Sequence, residues 1–90
     1  MIQNFRSSKL RRFWVKADAK AIDPKHVARI RLQLGTLDRA KMPKAMDVAG
    51  WRFHKLRGEL RWSVKVDENW RITFGWGENG PVDVDYEDYH

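Results

Sequence analysis

The hydrophobic rhythm of the chain changes near residue 50, from a repeat of three and four to a repeat of two. Before that point Leu10, Phe13, Trp14 and Ala17 recur at i, i+3, i+4 and i+7, the spacing that gathers side chains on one face of an α-helix. Ser7 or Ser8 stands ahead of them as a capping hydroxyl. Val27, Ile30, Leu34 and Leu37 form a second helical stripe, opened by Asp23 as N-cap and Pro24 in the first turn. Gly35 falls inside that helix, where glycine costs about 1 kcal/mol relative to alanine unless close packing requires it. Ile2 to Phe5 reads as a short strand, and Met42 to Gly50 as a connector with one helical turn after Pro43.

From Trp51 onward, Trp62, Val64 and Val66 alternate with Arg61, Ser63, Lys65 and Asp67. Trp70, Ile72, Phe74 and Trp76 alternate with Arg71, Thr73 and Gly75, and Val82, Val84 and Tyr86 with Asp83 and Asp85. Each run is a strand with one apolar face. The links Asp67-Glu68-Asn69 and Gly77-Glu78-Asn79-Gly80 are short and turn-forming, so the strands are hairpin-connected and antiparallel. The predicted class is α+β: two N-terminal helices packed on one face of a small, mainly antiparallel twisted sheet, in a single domain over residues 1–90. If Trp70, Ile72 and Phe74 face the helices, Arg71 points to the opposite, uncovered face with Arg61, Ser63 and Lys65. Phe53 and Leu56 have opposite parity, which predicts a bulge or turn near His54.

Charge gives this picture a polarity. All 18 Lys and Arg lie between Arg6 and Arg71 against seven acids, whereas residues 72–90 carry five acids and no base. A basic body with five tryptophans suits a polyanion, whose phosphates and bases the two residue types bind, although tryptophans equally suit a core. The chain has no cysteine, which excludes a disulfide framework and a thiolate metal site and makes a cytoplasmic setting the expectation. No apolar stretch approaches the roughly 20 residues of a membrane span, and Met1 to Phe5 lacks signal-peptide architecture, so no membrane partner is expected. His26, His54 and His90 have no metal-ligand spacing, and neither a P-loop nor a dinucleotide fingerprint is present, so no metal or cofactor is implied.

What remains is His54 and His90 on the sheet side, amid Lys55, Arg57, Arg61 and Arg71. Metal-independent RNA cleavage needs a base for the 2′-OH proton, an acid for the leaving 5′-oxygen, and cations for the charge of the pentacovalent phosphate. Histidine can fill either proton-transfer role at neutral pH. From the residues alone, an RNA-binding module fits as well as a nuclease.

Phe53-His54-Lys55-Leu56-Arg57-Gly58, Trp62-Ser63-Val64, Asn69-Trp70-Arg71-Ile72-Thr73-Phe74 and the terminal Asp85-Tyr86-Glu87-Asp88-Tyr89-His90 together resemble the HigB family of toxins. These plasmid-maintenance killer proteins belong to the RelE/ParE superfamily, and the resemblance spans the whole chain. It implies a RelE-like fold and a ribosome-dependent endoribonuclease that cuts mRNA in the A site and so inhibits translation. It also implies a HigA-type helix-turn-helix antitoxin, through which the toxin reaches operator DNA. By position, His54, Arg71, Asp88, Tyr89 and His90 match the family's active-site residues. Arg57 stands where lysine is common, keeping the charge while changing its shape.

The roles implied are acid and base for His54 and His90, scissile-phosphate contacts for Arg71 and Arg57, base stacking or proton transfer for Tyr89, and orientation of a neighbour for Asp88. Lys55 and Arg61 are expected to contact RNA phosphates. Two competing readings share the fold: a non-catalytic protein acting through the antitoxin–operator complex, and a ParE-like gyrase inhibitor, which has no need of the two histidines.

Overall fold

The computed structural model describes residues 1–89, and His90 lies outside the described residues. Helix α1 (Ser8–Lys16) starts where the Ser7 hydroxyl accepts the Leu10 N–H at 3.2 Å. It ends at Ala17, whose left-handed φ of 54° lets its N–H reach the Arg12 carbonyl. Ala17 is therefore an exposed cap and not part of the buried stripe, which Leu10 and Phe13 carry. Asp23 caps as expected, accepting the Lys25 N–H at 3.0 Å, but it opens a 3-10 turn, Pro24–His26, that precedes helix α2 (Val27–Arg39). Ile30, Leu34 and Leu37 are fully buried along α2. At Gly35 an added Cβ would meet only Arg39 Nη1, at an ordinary 3.6 Å, so close packing does not require the glycine.

Strands β1 (His54–Lys55), β2 (Arg61–Lys65), β3 (Trp70–Gly77) and β4 (Gly80–Asp88) form an antiparallel sheet in that order. The two-residue β1 adds to the three strands expected from the alternation. The expected Ile2–Phe5 strand is reduced to a parallel bridge between Phe5 and Val84, supported by Gln3 N–H to Pro81 and Arg6 N–H to Val84. Val64, Ile72, Phe74 and Val84 meet α1 and α2 in the core, joined by Met46 and Trp51 from the connector. Trp14, Trp62, Trp70 and Trp76 pack against this core, so the tryptophans chiefly serve the fold. The β3–β4 hairpin closes through Gly80, whose φ is 131° and whose Cβ, if present, would lie 2.8 Å from the Met1 carbonyl.

Two features depart from strict alternation. Thr73 pairs with Asp85 but Gly75 pairs with Val82, so Phe74 alone faces two residues of β4. Asp83, at φ 50°, is the extra one, a β-bulge. Val82 consequently lies over Gly75, where a Cβ would be 3.2 Å from its Cγ2, and does not share a face with Val84 and Tyr86. The sheet face opposite the helices is also not uncovered. Ser63 and Thr73 are fully buried there and Arg61 is only 8% exposed, beneath Val82 and the Leu60 segment.

Candidate active site

The register lays the outer face out in rows. His54, Ser63, Thr73 and Asp85 form one row across the four strands, and Lys65, Arg71 and Glu87 form the next row along. A strand spacing of about 4.8 Å and a rise of about 3.3 Å per residue separate the His54 and Arg71 Cα atoms by roughly 12 Å.

His54 is exposed on the β1 edge, with Nδ1 3.1 Å from the Arg52 carbonyl and 3.4 Å from the Ser63 hydroxyl. Arg52 presents that carbonyl from a left-handed φ of 49°, the irregularity expected near His54. Donation of Nδ1–H to the carbonyl leaves the lone pair on Nε2, the form that can take a proton. Arg71 is half-buried. Its Nη1 donates to the Asp67 carbonyl at 2.7 Å and the Trp70 carbonyl at 3.1 Å, and its guanidinium lies 5.7 Å from the centre of the Tyr89 ring.

Tyr89 is held by its N–H to the Asn69 carbonyl at 2.5 Å and is 42% exposed. Burial pushes the Tyr89 phenol up, Glu87 and Glu59 push it further, and Arg71 and Arg61 pull back against them. A phenol raised above its ordinary value is protonated at neutral pH, so Tyr89 can donate a proton or a stacking surface but cannot act as a base.

Arg61 departs from the open-face position expected of a phosphate ligand. Its Nη2 donates to the Thr73 hydroxyl and to the Asp83 carbonyl, each at 2.9 Å, and the Thr73 hydroxyl in turn donates to the Glu87 carboxylate. Arg61 thus props the site from beneath. Glu87, cross-strand from Arg71, is a carboxylate that the sequence reading did not single out. Its parity with Asp83 and Asp85 was the available signal. Asp88 pairs with Trp70, the parity shared by Ile72 and Tyr86, whereas Glu87 shares the row of Arg71. Lys55 pairs with Trp62 and so alternates away from His54, while Arg57 is exposed beside the Gly58 turn, φ 75°.

A second polar cluster lies on the helix side. His26 is only 3% exposed, with Nδ1 2.6 Å from the Tyr86 hydroxyl and Nε2 2.6 Å from Asp67 Oδ2. Burial, then the Asp23 and Asp67 charges, push Tyr86 up to about 12, against a backbone hydrogen bond from Asp23. Nε2–H donates to the ionised Asp67 carboxylate, and Nδ1 and the Tyr86 hydroxyl share the second hydrogen bond. For Asp67 burial opposes ionisation, but hydrogen bonds from His26, Trp70 and Asn69 and the His26 charge outweigh it and bring the carboxyl to about 2. Partners 41 and 60 residues away left no local trace of this cluster in the sequence.

Among the described residues, no helix is long and apolar enough to cross a membrane. A family model described as the RelE-like toxin of the type II toxin-antitoxin system HigB matches residues 3–90. The Endoribonuclease HigB of Proteus vulgaris is 30% identical over 92 residues, with all of both chains covered. With its helices on one face of an antiparallel sheet and this match over nearly its whole length, the chain belongs to the HigB-like branch of the RelE-like toxins of type II toxin-antitoxin systems.

Proposed function

We propose that this protein is a ribosome-dependent endoribonuclease that cuts mRNA in the A site and thereby stops translation, restrained in the cytoplasm by a HigA-like antitoxin. The observation that carries this reading is the placement of His54 and Arg71 in neighbouring rows of one sheet face, with the Tyr89 ring centre 5.7 Å from the Arg71 guanidinium. A base removes the 2′-OH proton, the oxygen attacks the adjacent phosphorus, and the bond to the 5′-oxygen breaks as an acid protonates that leaving group. The products are a 2′,3′-cyclic phosphate and a 5′-hydroxyl. The lone pair on His54 Nε2 suits the base, and His90 takes the acid role.

Arg71 and Arg57 neutralise the pentacovalent phosphate, Tyr89 stacks on a base or donates a proton, and Asp88 orients a neighbour. Glu87, aligned by Thr73, offers a second proton acceptor. Exposed Lys9, Arg12 and Arg31 on the helices, with Lys55 at the sheet edge, supply charge for ribosomal RNA. Operator DNA is reached through the antitoxin.

Purified protein, ribosomes and a defined mRNA test this reading by mapping of RNA ends. The wild type should cut ribosome-bound mRNA and leave free mRNA intact. Arg71→Ala should reduce the rate by about 10²-fold or more with an unchanged melting curve, the loss expected when a donor to developing charge is removed. Undiminished cutting by Arg71→Ala, or equal cutting of free RNA, would overturn the assignment.

A further inference from the structure

We infer that His26, on the helix side of the sheet, is a positioning residue that sets the placement of Arg71 and Tyr89 on the other side; this rests on the nuclease reading above. Each partner of its imidazole is one step from a site residue. Asp67 takes Nε2–H on Oδ2, while its Oδ1 accepts the N–H groups of Asn69 and Trp70, both at 2.9 Å. The carboxylate thereby clamps the β2–β3 turn. The carbonyl of the same residue receives Arg71 Nη1, and the Asn69 carbonyl receives the Tyr89 N–H.

The other arm reaches Tyr86, three residues before Tyr89 on β4. The Trp70 and Tyr86 rings, with centroids 4.4 Å apart, close the gap between the two arms. His26 therefore spans the turn that carries Arg71 and the strand that delivers Tyr89. A buried imidazole with both nitrogens engaged holds two such groups at a fixed separation, which an apolar side chain of equal volume does not do.

Two variants cut the Tyr86 arm. Tyr86→Phe removes a single oxygen and breaks the Nδ1 arm. His26→Gln keeps a nitrogen near the Nε2 position and loses the Tyr86 arm, and if it fails to fold, Tyr86→Phe decides. Folded Tyr86→Phe should lose about tenfold to a hundredfold in kcat on ribosome-bound mRNA with KM changed by less than about threefold, the scale of a misplacement near 1 Å. Nuclear Overhauser contacts between the Arg71 side chain and the Tyr89 ring should weaken in parallel.

In an Arg71→Ala background, Tyr86→Phe should cost clearly less than it does in the wild type, because one of the two groups it places is gone. A merely structural role predicts a lower melting temperature, an unchanged kcat where the protein is folded, and losses that multiply with Arg71→Ala. Intact Arg71–Tyr89 contacts and unchanged kcat in folded Tyr86→Phe overturn the inference. Should the wild type not cut ribosome-bound mRNA at all, the nuclease reading fails, and the Overhauser contacts alone decide whether His26 places Arg71.

Discussion

Replacing Asp67 by asparagine keeps the outline of the side chain and removes its charge. The carboxyl ionises near 3.8 in an unfolded chain and near 2 in the fold, where burial opposes the charge but hydrogen bonds from His26, Trp70 and Asn69 and the His26 charge prevail. The folded value is the lower one. The stability Asp67 contributes is therefore fully present above about pH 4 and is lost as pH falls through about 2. For a shielded group the gap between the two values corresponds to roughly 2 kcal/mol. The Asp67 side chain is 45% exposed, so water screens much of that and about 1 kcal/mol is the expected contribution.

For a 90-residue chain this equals about 5 °C in melting temperature. Urea unfolding of the wild type and Asp67→Asn at pH 6, 5, 4 and 3 and low salt reads the difference directly. It should hold at about 1 kcal/mol from pH 6 to 5 and shrink by roughly half at pH 3. Two stability curves that run parallel from pH 6 to 3 would refute the reasoning, because the carboxylate would then contribute nothing through its charge.

Gly35→Ala should stabilise the protein by about 1 kcal/mol, read as a rise of about 5 °C in a thermal melt, since the new Cβ meets only Arg39 Nη1 at 3.6 Å. Gly80→Ala should lower the melting temperature, with a cost above about 1 kcal/mol, because φ is 131° and the Cβ would press to 2.8 Å from the Met1 carbonyl. Glu87→Gln retains an acceptor for the Thr73 hydroxyl and removes the charge, so single-turnover cleavage should fall by about tenfold or more while the fold is kept. Activity should show no loss from Tyr89 ionisation as pH rises toward 9 in a rate profile, because burial and then the Glu87 and Glu59 charges hold the phenol above its ordinary value.

Local pattern exposed most of the fold and part of the site. The α2 stripe and the Asp23 cap were legible because a helix repeats its own spacing, and the parity of β3 correctly set Arg71 against Ile72 and Phe74. Parity assigns a face but not a depth, which is why Arg61 reads as a surface cation and is buried. Ala17 continued the helical spacing while its backbone had already turned left-handed. His26 was illegible for another reason: its role exists only once Asp67 and Tyr86 converge on it from the sheet. Glu87 is legible in the alternation with Asp85, whereas the family resemblance points to neighbouring Asp88.

The bulge at Asp83 fixes the phase of everything that follows it. A regular strand continuing from the Gly75–Val82 pair would bring Tyr86 opposite Arg71 and turn Glu87 toward the helices. With the extra residue, Tyr86 faces Ile72 and reaches His26, while Glu87 comes opposite Arg71. One left-handed residue thus sorts two tyrosines, three positions apart, onto opposite faces, Tyr86 against His26 and Tyr89 beside Arg71. Deleting Asp83 would sacrifice its carbonyl bond to Arg61 yet preserve this sorting, whereas inserting a residue after it would exchange the two faces.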